Sequence, residues 1–65
     1  MSITLKAARV NAGLTQVEAA KALDITKGTL ANYEAGKTEP SLQMARRIAE
    51  LYGMHMDDII FFAKK

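Results

Sequence analysis

The chain has 65 residues, a formal net charge of +2, 49% hydrophobic residues and no Cys. This length predicts a single domain over residues 1–65, close to the lower limit at which a hydrophobic core stabilises a fold by itself. The composition excludes disulfides and thiolate metal sites, and the lack of an 18-residue apolar stretch or an export signal predicts a cytoplasmic protein without a membrane segment.

Five helices are predicted along the chain, and the first two are separated by a glycine. The first runs from about Thr4 to Ala12 and ends at Gly13, because glycine favours the left-handed conformation that closes a helix. The second spans about residues 15 to 22. It begins with Thr15, which is followed three residues later by a glutamate, and this spacing predicts a reciprocal capping box.

The second and third helices are joined by a tight turn. Asp24 lies between two apolar residues in this turn, and Asp tolerates the left-handed conformation that such a bend often needs, though less well than Gly. Thr26 is the predicted N-cap of the third helix, which spans about residues 27 to 35 and ends at Gly36. The pattern predicts a helix-turn-helix over residues 15–35, an element that binds the major groove of DNA.

The rest of the chain predicts a longer fourth helix and a short fifth one. Pro40 breaks the helical periodicity, and Ser41 caps a helix whose apolar residues recur at helical spacing until Gly53. The last helix is expected from about Asp57 to Phe62, with two carboxylates in its first turn, where the helix dipole favours negative charge. No strand pattern is present, so the expected fold is all-α and compact.

Positive charge is concentrated in the half of the chain that carries the helix-turn-helix. Residues 1–38 contain five basic and three acidic side chains, whereas residues 39–65 contain four of each. This placement is consistent with phosphate binding, although a difference of two charges also arises often by chance.

A set of residues spread over nearly the whole chain follows the order of a known family pattern. These residues are Leu5, Lys6, Arg9, Gly13, Leu14, Thr15, Gln16, Glu18, Ala20, Leu23, Ile25, Thr26, Thr29, Leu30, Tyr33, Glu34, Gly36, Lys37, Pro40, Ser41, Ile48, Ala49, Gly53 and Asp57. With them the chain resembles the Cro/C1-type helix-turn-helix domain, the xenobiotic-response-element regulator family that includes small phage repressors. The resemblance implies a compact five-helix, lambda-repressor-like DNA-binding fold.

Several residues depart from the family pattern. Asp24 stands where the family usually has Gly, and His55 replaces the usual Ser or Thr cap of the last helix. Larger aliphatic residues are common in the family at three positions occupied here by alanine, namely Ala8, Ala19 and Ala45. We expect a smaller core and a weaker last cap, the latter costing about 1 kcal/mol.

Three residues of the third helix are candidates for contacts with DNA bases. Lys27 can donate to the O6 and N7 acceptors of guanine, and Asn32 can pair with N6 and N7 of adenine. Both can also be read as ordinary solvated polar residues. Gly28 has two readings of equal weight: its missing side chain lets the backbone approach the bases, or it is a tolerated surface residue.

Five further residues are candidates for phosphate contacts: Gln16, Thr26, Thr29, Lys37 and Thr38. The start of the second helix offers free amides and the positive end of the helix dipole to an anion. The resemblance implies that the matching Gln, and the loop after the third helix, lie against the DNA backbone. Such contacts set position and affinity, and they do not select a base sequence.

Arg9 and Glu34 are interpreted as a structural ion pair. The resemblance implies that the matching residues pair across the first and third helices, and both positions fall on the inward sides of their helices. An Arg that faces the core needs a partner, because an unpaired buried charge is costly. The alternative is that Arg9 reaches a phosphate.

The chain ends in a strongly apolar segment. Residues 59–62 are too apolar for one face of a six-residue helix, so Ile60, Phe61 and Phe62 are candidates for a dimer surface. A two-fold dimer would present two recognition helices to successive major grooves, about 34 Å apart on a palindromic operator. The alternatives are burial of these residues in a monomer, or cover by a further part of a longer chain.

The residue inventory argues against an enzyme. His55 is the single histidine, so no second His or Cys completes a catalytic triad or a zinc site. Asp57 and Asp58 are adjacent and would point roughly 100° apart on a helix. No metal or cofactor is expected.

The favoured hypothesis is a sequence-specific regulator, a repressor that binds double-stranded DNA as a homodimer and associates with the nucleoid. The alternative is an interaction module of the same fold, such as an antitoxin or antirepressor, that buries its apolar end in a protein partner. The polar face of the third helix favours the first hypothesis, because a purely interacting domain has no need of it.

Overall fold

The structure is a computed structural model in which residues 2–61 are described. Within that range the chain forms four α-helices, one 3₁₀ helix and two short strands. In chain order these are β1 (Ile3–Thr4), α1 (Leu5–Asn11), α2 (Gln16–Leu23), α3 (Lys27–Ala35), α4 (Leu42–Tyr52), the 3₁₀ helix (Met56–Asp58) and β2 (Ile59–Ile60). The four helices agree with the predictions to within about one residue at most ends.

All four α-helices begin after a hydroxyl residue. The side-chain oxygen of the N-cap accepts a hydrogen bond from the backbone N–H three residues later, at 3.1 Å in each case. The predicted caps Thr15, Thr26 and Ser41 are confirmed, and Thr4 is a fourth. Each cap satisfies an amide that the helix leaves unpaired and stabilises the helix by about 1 kcal/mol.

The fifth predicted helix, from about Asp57 to Phe62, is wrong. The chain makes only a three-residue 3₁₀ helix there and then continues as β2, which pairs in parallel with β1, Ile3 opposite Ile59 and Thr4 opposite Ile60. His55 precedes the 3₁₀ helix without a side-chain capping hydrogen bond. The β-branched Ile59 and Ile60 favour the extended conformation, and the pairing partner lies more than 50 residues away, which local patterns do not reveal.

The core lies between the four helices and is closed by the end of the described chain. Its largest fully buried side chains are Leu23, Leu30 and Ile48, which come from α2, α3 and α4. The remaining buried hydrophobic residues are Leu5, Ala8, Ala19, Ala20, Ala45, Ala49, Tyr52, Ile59 and Phe61. Four of these nine side chains come from the last two turns of α4 or from the segment after the 3₁₀ helix.

The terminal segment alternates between the core and the surface. Ile59 and Phe61 are buried, whereas Ile60 is 42% exposed. This alternation follows from the extended backbone, in which successive side chains point to opposite faces. Phe61, a predicted candidate for the dimer surface, instead packs in the core of its own chain. Phe62, another candidate, lies outside the described residues.

Candidate nucleic-acid interface

The turn between α2 and α3 is closed by backbone hydrogen bonds. Asp24 adopts the left-handed conformation with φ 60° and ψ 42°, and it is the one non-glycine residue with positive φ among residues 2–61. The N–H groups of Asp24 and Ile25 donate to the carbonyls of Lys21 and Ala20 at 3.1 and 3.0 Å. The predicted helix-turn-helix is confirmed, with these bonds closing the turn that joins α2 to α3.

The third helix has one side that packs into the domain and another that is exposed. Leu30 is its buried residue, while Lys27, Gly28 and Asn32 are exposed. Gly28 and Asn32 are four residues apart and so lie on one stripe of the helix. A Cβ built on Gly28 would meet only Thr26 Oγ1, at 3.9 Å, so packing does not require glycine at this position. The face of α3 that carries the three base-contact candidates is therefore free for a ligand.

The phosphate candidates lie near both ends of α3. Thr26 Oγ1 and Thr29 Oγ1 are 2.8 Å apart at its start, where Thr26 also caps the helix. Lys37 and Thr38 follow its end, with exposed side chains and backbone N–H groups directed to the carbonyl of Asn32 at 3.0 and 3.5 Å. Because α3 has nine residues, the hydroxyls at its start and the lysine after its end are separated by roughly 13 Å along the helix axis.

Gln16 is tied to the interior of the domain. Its side-chain Nε2 donates to Glu34 Oε1 at 2.9 Å, which joins the start of α2 to the last turn of α3. A glutamine amide has two N–H groups, so one remains for an acceptor outside the domain. The candidate phosphate contact of Gln16 is thus compatible with this bond, and the bond fixes where the side chain lies.

Arg9 and Glu34 form a buried ion pair. Arg9 Nε lies 2.6 Å from Glu34 Oε2, and a second guanidinium nitrogen donates to Oε1 at 3.4 Å. The third nitrogen donates to the Leu14 carbonyl at 2.9 Å. Arg9 is only 8% exposed, and all three of its guanidinium nitrogens donate within the domain. The pair links α1 and α3 and, through Gln16, orients the two helices of the helix-turn-helix.

An open cleft of about 640 Å³ lies between α1 and the start of α2. Lys6 and Val10 line it from α1, Gln16 and Val17 from α2, and Lys27 from the start of α3. The sequence analysis assigned no role to Lys6, because it lies outside the helix-turn-helix. The sequence signal that could have identified Lys6 is a basic residue on the exposed side of α1.

The comparison with known proteins agrees with this geometry. Residues 5–59 match the family model described as Helix-turn-helix. The chain belongs to the Cro/C1-type helix-turn-helix family. The match begins at the first residue of α1 and ends in β2, so it includes almost all of the described fold.

Relatives in this family cover nearly the whole chain. An uncharacterised HTH-type transcriptional regulator of Methanocaldococcus jannaschii is 37% identical over 95% of this chain and 94% of its own length. A second one, from Archaeoglobus fulgidus, is 32% identical over 95% of this chain and 89% of its own. The HTH-type transcriptional regulator ImmR of Bacillus subtilis is 38% identical over 86% of this chain, which corresponds to 44% of that protein.

Tyr52 is a buried polar residue whose surroundings the sequence analysis did not foresee. It is one of the residues that recur at helical spacing along α4, and it is 7% exposed. Its hydroxyl has no hydrogen-bond partner among residues 2–61. Burial, and to a lesser degree the nearby Glu34 carboxylate, raise the pKa of Tyr52 to about 12, although the Arg9 guanidinium acts in the opposite direction.

No helix in residues 2–61 has the length and apolar character needed to cross a membrane. The described part of the chain also lacks a group of three or more His, Cys, Asp or Glu side chains placed to hold a metal ion.

Proposed function

We propose that the protein is a sequence-specific transcriptional regulator that places α3 in the major groove of double-stranded DNA. The observation that carries this proposal is the division of α3 into a buried side, formed by Leu30, and an exposed side with Lys27, Gly28 and Asn32. The names of the relatives, which are HTH-type transcriptional regulators, support it.

Base recognition is assigned to two side chains and one glycine. Lys27 donates to guanine O6 and N7, and Asn32 pairs with adenine N6 and N7, a contact that discriminates against a wrong base by roughly 1–3 kcal/mol. Gly28 lies between them on the exposed side and lets the helix backbone come close to the base edges. Sequence preference then comes from the first turns of α3, which enter the groove most deeply.

Affinity is assigned to phosphate contacts on both sides of the groove. Thr26 and Thr29 contact the backbone at the start of α3, Gln16 at the start of α2, and Lys37 and Thr38 after α3. These residues do not discriminate between base pairs, but they fix the register in which α3 meets the DNA. Their number sets the salt dependence of binding.

The proposed regulatory action is repression by a dimer at a palindromic operator. Ile60 is 42% exposed, whereas its neighbours Ile59 and Phe61 are buried. Among residues 59–61 it is therefore the side chain that a second copy of the chain can cover. Two copies on one side of the duplex would bring their α3 helices into grooves about 34 Å apart. Such a complex would cover DNA within the nucleoid, and its action requires no cofactor.

The test is a pair of asparagine substitutions measured on an operator and on its single-base variants. Asn32→Ala should relax preference at one base pair of each half-site and leave binding to unrelated DNA nearly unchanged. Asn11→Ala, on an exposed position of α1, is the matched control and should change neither quantity. Uniform weakening on all duplexes by Asn32→Ala would contradict a base-reading role.

A further inference from the structure

The exposed side of α4 carries one leucine and two arginines. Leu42 is 64% exposed, the highest value among the large exposed hydrophobic residues of the described chain. Arg46 lies four residues further on and so one turn along the same stripe of the helix, with Arg47 beside it, and both side chains are exposed. These three residues are called the α4 patch below. They join an apolar surface to two positive charges.

The two arginines of the α4 patch are not used by the fold. The third arginine of the chain, Arg9, is buried in its ion pair with Glu34. Neither Arg46 nor Arg47 forms an ion pair or a side-chain hydrogen bond with another residue in the range 2–61. Glu50 lies one turn after Arg46, but a glutamate that follows its cation along a helix is in the less favourable order. Both guanidinium groups are therefore available to a ligand.

The α4 patch lies outside the proposed DNA interface. α4 packs against α2 and α1, and its buried side is formed by Ala45, Ile48, Ala49 and Tyr52. The candidates for base contacts lie on α3, and those for phosphate contacts lie at the start of α2, at the start of α3 and after its end. No candidate for a DNA contact lies on α4. A ligand on the α4 patch therefore does not occupy the residues proposed to bind DNA.

The chemistry of the α4 patch suits a protein that carries carboxylates. A guanidinium group offers a planar fork of N–H donors that matches a carboxylate with two parallel hydrogen bonds. Arginine is also enriched in protein–protein interfaces, whereas lysine is depleted there. The lysines of residues 2–61 lie on α1, α2, α3 and the loop after α3, so the two kinds of cation occupy different surfaces. Leu42 adds an apolar contact beside the charges.

We propose that the α4 patch docks a protein partner through an acidic segment that contains one large apolar side chain. The apolar side chain packs against Leu42, and carboxylates of the segment pair with Arg46 and Arg47. Docking is compatible with DNA on α3, so the partner is held at the operator. This last step rests on the proposed function, whereas the docking itself does not.

The first part of the test selects a probe from a displayed library of random 16-residue peptides. The full chain is the target, and the double variant Arg46→Gln with Arg47→Gln is the counter-selected protein. The enriched peptides should be rich in Asp and Glu and should share one large apolar residue. One such peptide, made synthetically with a fluorescent label, is the probe for anisotropy measurements.

The variants then locate the probe on the surface. The double arginine variant should bind it roughly tenfold more weakly, as expected for the loss of two exposed ion pairs. Leu42→Ser should weaken it roughly fivefold through lost apolar contact. The matched controls are Lys21→Gln and Val17→Ser, which remove a charge and an exposed apolar side chain from α2 and should change the affinity much less. Circular dichroism should give all variants the melting temperature of the wild type.

The second part repeats the measurement with the protein saturated by its selected operator. The affinity for the probe should stay within about twofold, because the two ligands occupy different surfaces. Operator binding by the double arginine variant should keep the affinity and the log–log salt slope of the wild type. A lower slope would assign Arg46 and Arg47 to DNA phosphates and overturn the inference.

The outcomes separate this inference from the proposed function. Peptides without an excess of Asp and Glu, equal binding to the wild type and the double arginine variant, or no enrichment at all would overturn the docking proposal. The regulator proposal would then stand by itself if an operator is found. If no duplex is preferred but the probe depends on the α4 patch, the docking surface stands and the proposed function fails.

Discussion

At the residue scale, Asp24 shows how one side chain can take the place of a glycine in the turn of the helix-turn-helix. The Cro/C1 pattern usually has Gly at this position, and the structure keeps the left-handed conformation with Asp. The left-handed conformation costs most L-residues roughly 1–2 kcal/mol of steric strain. The strain is smaller for Asp and absent for Gly, which has no Cβ. The turn is therefore formed at some expense of stability.

Asp24→Gly should raise the free energy of unfolding by up to about 1 kcal/mol, because relief of strain outweighs the greater freedom of the unfolded chain. Asp24→Ala should lower it by about 1 kcal/mol, since Ala lacks the tolerance of Asp for positive φ. Urea denaturation of the three proteins measures both changes. Equal stabilities for the Gly and Ala variants would show that the left-handed conformation carries no strain.

Tyr52 gives the fold a specific dependence on alkaline pH. Its pKa is about 12 in the folded state, against 10.0 for the ordinary side chain. Between these values the unfolded chain releases the proton while the folded chain keeps it, so rising pH favours unfolding. The stability linked to this proton is fully present below pH 10 and is lost as pH rises through about 12.

Tyr52→Phe should remove this dependence. Between pH 8 and pH 11, the wild type should lose about 1.4 kcal/mol more of its free energy of unfolding than the variant, from a two-unit pKa difference. At neutral pH the variant should be at least as stable as the wild type, because the lost hydroxyl has no partner among the described residues. Parallel pH profiles would contradict the raised pKa.

At the element scale, the Arg9–Glu34 ion pair holds the helices together from inside. Glu34→Ala would leave the Arg9 charge buried and unpaired, and we expect a loss of about 3–5 kcal/mol. Since a domain of this size is stable by only about 3–10 kcal/mol, a loss of this size should lower the melting temperature of the variant strongly.

Gln16→Ala is the matched control for this effect. It removes one hydrogen bond to the same carboxylate and leaves the ion pair in place, so it should cost only about 1 kcal/mol. Circular dichroism during thermal unfolding distinguishes the two variants. If Glu34→Ala were as stable as Gln16→Ala, the ion pair would have no structural role.

Local signals explain why most helices could be predicted from the sequence. Each helix start depends on a cap and a residue three positions away, and Gly36 and Gly53 are the C-caps that end α3 and α4. The pairing of β1 with β2 joins opposite ends of the chain, and no local pattern specifies it. The sequence therefore predicted α2, α3 and α4 well and failed at the terminal segment.

The candidate site divides in the same way. The exposure of Lys27, Gly28 and Asn32 follows from helical periodicity and could be predicted. The bond from Gln16 to Glu34, and the position of Lys6 on the same cleft as Lys27, depend on how α1 and α2 pack, so the sequence alone did not reveal them.

At the scale of the whole molecule, the proposed dimer makes Ile60 the residue to change. Ile60→Asp places a charge on an exposed position of β2, so the domain should stay folded while a second copy is repelled. Binding to an operator with two half-sites should then fall at least tenfold more than binding to a single half-site. Fluorescence anisotropy with the two duplexes measures the difference.

Leu42→Asp is the control for this prediction, because Leu42 is 64% exposed and is the first residue of α4, not part of the terminal segment. It should affect both duplexes equally and weakly. An equal loss on both duplexes with Ile60→Asp, together with a lowered melting temperature, would assign Ile60 to the fold and not to a dimer.

The most direct test of the central claim is selection from a pool of random duplexes, followed by sequencing of the bound DNA. We expect a two-fold symmetric motif whose half-sites are centred about one helical turn apart, 10–10.5 base pairs. Each half-site should contain adenine and guanine positions that depend on Asn32 and Lys27. Recovery of no preferred sequence by the folded protein would contradict the account, and a protein partner would then be the ligand to seek.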